Sequence, residues 1–196
     1  HGGRRSQEYK VNFMATAQRE VLEVGIRLRA FRDNLKYVGR DIYRQPVERL
    51  LARGVNFKCY LLDVNASTVK AYIEDLATVQ EKERSSYEVV PEVINDLTEL
   101  CDTFRAKNYP GTFEVYQYAH IPQNHFFVVD NDLEDHAKMM ISNYIFGVPR
   151  GQCFVMEFSR KDADVLYDQY KKSLEHLIGE AELLASSTRN PLAPKI

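Results

Sequence analysis

No run of apolar residues in this 196-residue chain approaches the roughly 20 that a membrane-spanning helix needs, so a helical span is not expected. The first residues, His1-Gly2-Gly3-Arg4-Arg5, lack the apolar core of a signal peptide. An excess of positive charge is also missing. The formal net charge is -2, which argues against a broad electrostatic grip on nucleic acid. Cysteine is sparse. Cys59, Cys101 and Cys153 are odd in number, widely spaced and without a CxxC pair, so neither a zinc knuckle nor a disulfide framework is indicated. Cys59 and Cys153 sit in apolar, strand-like runs where a thiol acts as a small hydrophobe. A reducing, cytoplasmic compartment fits them. There is no glycine-rich phosphate loop, no Ser-centred nucleophile elbow and no paired zinc motif. Internal repeats and low-complexity segments are absent too. No cofactor, no metal and no membrane partner is expected.

What is present suits one domain with a sizeable core, since 44% of residues are apolar and 28% charged. Residues 1–5 lack an initiator Met and read as a cloning scar, which implies a domain cut from a larger protein with an N-terminal region missing. Residues 6–185 read as the domain and 186–196 as a loose tail. A helix is expected over Ser6 to Ala17. Glu20 to Ile26 is short, apolar and Val/Ile-containing, and reads as a strand. Pro46 opens a helix that Gly54 closes. Asn56 to Leu62 is a second strand, after which Asn65 or Ser67 is expected to cap a helix burying Val69, Tyr72, Ile73 and Leu76. Glu81 to Ser86 reads as a charged loop. Pro91 starts a longer helix with Ile94, Leu97, Cys101 and Phe104 on one side. Strands follow at Thr112 to Tyr118, Phe126 to Asp130, Lys138 to Ile145 and Cys153 to Phe158. A final helix is expected from about Lys161 to Leu184. The alternating first half favours parallel pairing and the second half hairpins, which together predict an α/β domain with a mixed central sheet flanked by helices.

Candidate functional residues are scattered through this frame. Asp63 ends a strand just before a helix, a position where open α/β sheets bind ligands. Asn65, Ser67 and that helix N-terminus could hold an anion, or simply cap the helix. His120 and His125 are close in sequence, but no carboxylate or Cys gives them metal-ligand spacing. Glu114, Tyr116 and Tyr118 share a strand face that can form a polar-aromatic groove. Phe113, Phe126, Phe127 and Tyr144 complete an aromatic set that reads as core more readily than as pocket lining. Arg27, Arg29, Arg32, Lys36 and Arg40 form a basic run that could make a local nucleic-acid patch and reads more readily as a solvated face.

The stretch VLEVGIRLRAF…PVERLLARGVNFKCYLLD, from Val21 to Asp63, resembles the opening of a phospholipase-D-like half. HFFVVDN and AKMMISNY resemble that family's active-site strand and the strand after it, where Ser142 and Asn143 fall. CFVMEFSR…LYDQYKKSLEHL is similar to its last strand and helix. The resemblance spans about Val21 to Ile178 and implies a single half of that fold. The family's motif is His, any residue, Lys, any four residues, Asp, and its His is the nucleophile. With Asp130 on the motif's Asp, Gln123 falls at the His position and His125 at the Lys position, so the nucleophile is lost. With His136 and Lys138 on the motif, Asn143 replaces the Asp, and an amide does not stabilise an imidazolium as a carboxylate does.

The resemblance therefore implies a degenerate site. The domain would sense a ligand, as similar domains do behind a helix-turn-helix in bacterial regulators, and would touch DNA only through the missing N-terminal region. The ligand expected is small and phosphorylated or nucleotide-like, held by Asp63, Asn65, Ser67, His125, Asp130, Ser142 and Asn143. One alternative is a dimeric phosphodiesterase, a nuclease or phospholipase, using His136, Lys138 and Asn143. Another is a protein-interaction domain without a ligand. Because the family pairs two halves, a homodimer is expected.

Overall fold

The computed structural model describes residues 5–37, 42–79 and 87–188. The expected Glu81–Ser86 loop, Arg40 and most of the 186–196 tail lie outside these residues. The described elements are α1 (Gln7–Ala15), β1 (Glu20–Gly25), α2 (Arg29–Lys36), α3 (Arg44–Ala52), β2 (Asn56–Leu62) and α4 (Ser67–Val79). They continue with α5 (Val90–Lys107), β3 (Phe113–Tyr118), β4 (Asn124–Val129), β5 (Lys138–Asn143), β6 (Val155–Ser159), α6 (Asp164–Ile178) and β7 (Glu182–Ser186).

One seven-stranded mixed sheet runs β6-β5-β4-β1-β2-β3-β7. The centre is parallel, β1 to β2 and β2 to β3, because helices fill both connections. The remaining pairs, β1 with β4, β4 with β5, β5 with β6 and β3 with β7, are antiparallel. The sheet is covered on both faces. On one face α1, α2, α3 and α5 cover Val21, Phe57, Cys59, Leu61, Phe113, Val115 and Phe127. On the other, α4 and α6 cover Leu22, Val24, Tyr60, Leu62, Phe126, Val128 and Ile141. Alternation along each strand thus feeds two apolar layers, which is why β4 is buried at every residue.

The helices follow their local signals. Ser6 caps α1 by accepting a hydrogen bond from Tyr9 N–H at 3.1 Å. Pro91 lies in the first turn of α5, and Asn108, in left-handed conformation, ends it. On α5, Leu97, Cys101 and Phe104 are buried as expected, joined by Val93 and Leu100.

Four expectations are corrected. Ser67 is the first residue of α4, and neither it nor Asn65 caps the helix; the Asn65 N–H is instead taken by Asp63 Oδ1 at 2.9 Å. The last helix stops at Ile178, and Glu182–Ser186 is an edge strand on β3. Ala181 and Leu184 continued the helical apolar spacing, so the periodicity hid the break at Gly179. The strands are shorter than expected at Ile26, Asp130, Tyr144 and Ile145. Finally, the basic run is a solvated face only in part: Arg29 is exposed, whereas Arg27 and Lys36 are half-buried and Arg32 is buried. It contains α2, and Arg32 in it is only 3% exposed. Arg32 is bonded to Asp33, Glu92 and Asp96, and Lys36 to Asp96 and Glu99.

Candidate functional site

A carboxylate and an imidazole sit among the apolar residues that β1 and β4 turn toward α1 and α2. Glu23 and His125 are 3% and 4% exposed, on neighbouring antiparallel strands, with His125 Nε2 2.9 Å from Glu23 Oε1. A carboxylate at that depth needs a partner, and the imidazole supplies one. Lys10 of α1 lies 3.6 Å from the same oxygen. Tyr43 is buried nearby and donates to Gln7 Oε1. Burial first, and the charge of Glu23 second, push its phenol well above the ordinary value, so it stays protonated.

These groups line a cavity of about 320 Å³ between the sheet and helices α1 and α2. Glu23, His125, Met140, Ser142 and Val155 belong to the sheet side, Ser142 standing opposite His125 in the β4–β5 register. Arg27 through Phe31, with Asp33, form the α2 side, and Arg5, Gln7 and Lys10 the α1 side. Leu28 has a left-handed backbone (φ 44°) and gives α2 no side-chain cap, so the first turn of that helix borders the cavity without one. Gly25 explains how the ring of His125 fits. A Cβ there would lie 2.8 Å from His125 Cδ2 and 3.0 Å from Leu28 Cδ2.

The sequence-derived candidates divide between places. His125 and Ser142 are together at the cavity. Asn143 and Asn124 are at the same end of the sheet, Asn143 Nδ2 donating to Asn124 Oδ1 at 2.9 Å. Gln123 is exposed there, its carbonyl accepting from Tyr144 N–H. Asp63 directly follows β2 and accepts from Gln117 Nε2 at 3.3 Å, with Asn65 and Ser67 exposed beside it. Asp130 is at the opposite end, about 17 Å along β4 from His125 at some 3.4 Å per residue. It is buried and its carboxylate takes the N–H groups of Gln18, Arg19 and Glu20, tying the start of β1. His136 is exposed at that same far end within hydrogen-bond distance of Gln18 Nε2. Lys138 Nζ lies 4.1 Å over the Phe13 ring, and burial lowers its pKa. The β3 groove is closed within itself, since Tyr116 donates to Glu114 and stacks on Tyr60. Among the described residues, no cluster of three His, Cys, Asp or Glu side chains suits a metal, and no helix is long and apolar enough to cross a membrane.

Sequence reasoning missed Glu23, Lys10 and Tyr43, and it saw Arg27 and Arg29 only as part of a basic run. The available signal was an acid inside VLEVG and a His opening HFFVV. Both are charged or polar residues in runs otherwise fit for burial, which calls for a mutual partner.

No protein-family model matches the chain, and no curated protein matches it. Among solved structures, TrmBL2, described as an archaeal chromatin protein with a novel mode of DNA binding, superposes with a TM-score of 0.47 at 14% identity over 93% of this chain. The chain spans 52% of that protein's length, and a likeness at this level assigns no family.

Proposed function

We propose that the chain is a non-catalytic, ligand-binding regulatory module of a larger protein, built as one phospholipase-D-like half with a degenerate motif, and that it binds a small phosphorylated or nucleotide-like molecule. The observation that carries this reading is the cavity floored by the buried Glu23–His125 pair. It lies beside the C-terminal end of β1, where open α/β sheets take ligands. The phosphodiesterase alternative finds less support, because His136 and Lys138 stand at the far end of the sheet and Lys138 packs over Phe13.

The test is a melting-temperature screen of the purified chain against phosphorylated metabolites and nucleotides, run beside turnover assays on single-stranded DNA, phosphatidylcholine and a chromogenic phosphodiester. A ligand present at about 100 times its dissociation constant adds roughly 2.7 kcal/mol of stability, easily read as a rise in Tm. The expected result is such a rise without turnover. Turnover abolished by His136→Ala would defeat the reading.

The homodimer is also proposed. Its support is an apolar patch at the same sheet end, where Ile145, Phe146 and Phe154 are 45%, 51% and 46% exposed. A monomeric sedimentation coefficient at micromolar concentration would contradict it.

A further inference from the structure

We propose that this cavity is built for a monophosphorylated polyol, a sugar phosphate, with hydroxyls inward and phosphate at the mouth. The inference rests on the ligand-binding reading above and narrows it to one chemistry and one orientation.

The floor selects the inward end. Glu23, His125 and Ser142 are each less than a tenth exposed, and all three line the cavity. A carboxylate, an imidazole and a hydroxyl side by side match hydroxyl groups, which can donate to the first and exchange hydrogen bonds with the others. The same carboxylate repels a phosphate, so the phosphate cannot lead. The walls select the outward end. Arg5, Lys10, Arg27 and Arg29 line the cavity; Arg5 is held by Glu157 at 3.7 Å, Lys10 by Glu23 at 3.6 Å, and Arg27 stacks over Tyr87. Arg29 is the most open of these, 63% exposed and only 3.8 Å from Asp33, so it can turn to an anion at little cost.

Size and aromatics argue against a nucleotide. The volume is near the lower end of the roughly 300–1,000 Å³ typical of small-molecule pockets. The aromatic residues of the lining, Phe31 and Tyr43, pack on each other at 5.4 Å, and Phe31 also stacks on Phe57 at 5.3 Å. Both rings are 4% exposed or less, so they offer no platform for a base.

Calorimetric titration of the intact chain with four kinds of probe tests the inference: pentose and hexose monophosphates, the free sugars, inorganic phosphate and adenosine monophosphate. A sugar phosphate is expected to bind at least tenfold more tightly than any other probe. Arg29→Ala should weaken the sugar phosphate but not the free sugar. Ser142→Ala should weaken the sugar phosphate but not inorganic phosphate. Inorganic phosphate or free sugar binding as tightly as the sugar phosphate would overturn the inference while leaving a ligand pocket in place. Tighter binding of the nucleotide would do the same. If all four fail to bind, the inference falls, and the ligand-binding reading falls with it if the wider screen is also blank.

Discussion

At Gly25 three elements meet over one backbone position. The ring of His125, the side chain of Leu28 and the hydroxyl of Tyr144 all lie within 3.4 Å of where a Cβ would stand. Tyr144 Oη also accepts the Ile26 N–H at 3.3 Å. His125 cannot retreat freely, because Glu23 holds its Nε2, and Leu28 is committed to a left-handed backbone. Gly25→Ala should therefore cost about 1–3 kcal/mol, the usual range for overpacking, and should displace the imidazole from the cavity floor. Chemical denaturation measures the first effect and ligand titration the second. An unchanged midpoint with unchanged affinity would show that the ring is not held as described.

Only part of this residue-scale picture was legible in the sequence. His125, Ser142 and Asn143 were marked because they fall on strands that resemble an active-site pair. Glu23 and Tyr43 were not, because their roles arise from contacts across 102 and 36 residues of chain, beyond any local pattern.

Among the elements, α2 shows why a charge run misleads. Its large apolar residues Phe31 and Leu35 stand one turn apart on a single buried face, but the four charged residues among the eight mask that face in the sequence. The helix is held by that apolar face and also by α5, through Arg32 and Lys36 converging on Asp96. Burial alone would raise the Asp96 pKa, but hydrogen bonds from Lys36 and Arg32 outweigh it and leave the carboxyl below its ordinary 3.8. A folded pKa below the unfolded one means the contribution is full above about pH 4 and is lost as the pH falls through the lower, folded value. Asp96→Asn should lose about 2 kcal/mol at neutral pH, typical of hydrogen bonds to a charged group. The difference between the two proteins should shrink in acid. Denaturation midpoints at pH 7 and pH 3 check this, and a difference that does not shrink with acid would refute it. By contrast, the strands β1 to β6 and helix α5 were legible because their period and their Pro and Gly punctuation are local. Strand β7 was not, since Leu183, Leu184 and Ala185 fit either a helix end or an edge strand until β3 is there to pair with.

Across the whole molecule, the sheet has two chemically different ends. One carries Asp130, His136 and Lys138, whose contacts tie α1, β1 and the β4–β5 turn together. The other carries His125, Ser142 and the cavity. A motif read along the chain spans both ends, because consecutive strand residues cover about 3.4 Å each, so spacing alone could not say which end works. The imidazole spectrum decides between them, since His125 and His136 report on opposite ends. With the phosphorylated ligand that most raises Tm added to saturation, the ring resonances of His125 should shift while those of His136 stay in place. Movement of His136 with a stationary His125 would contradict the assignment of the cavity as the binding site.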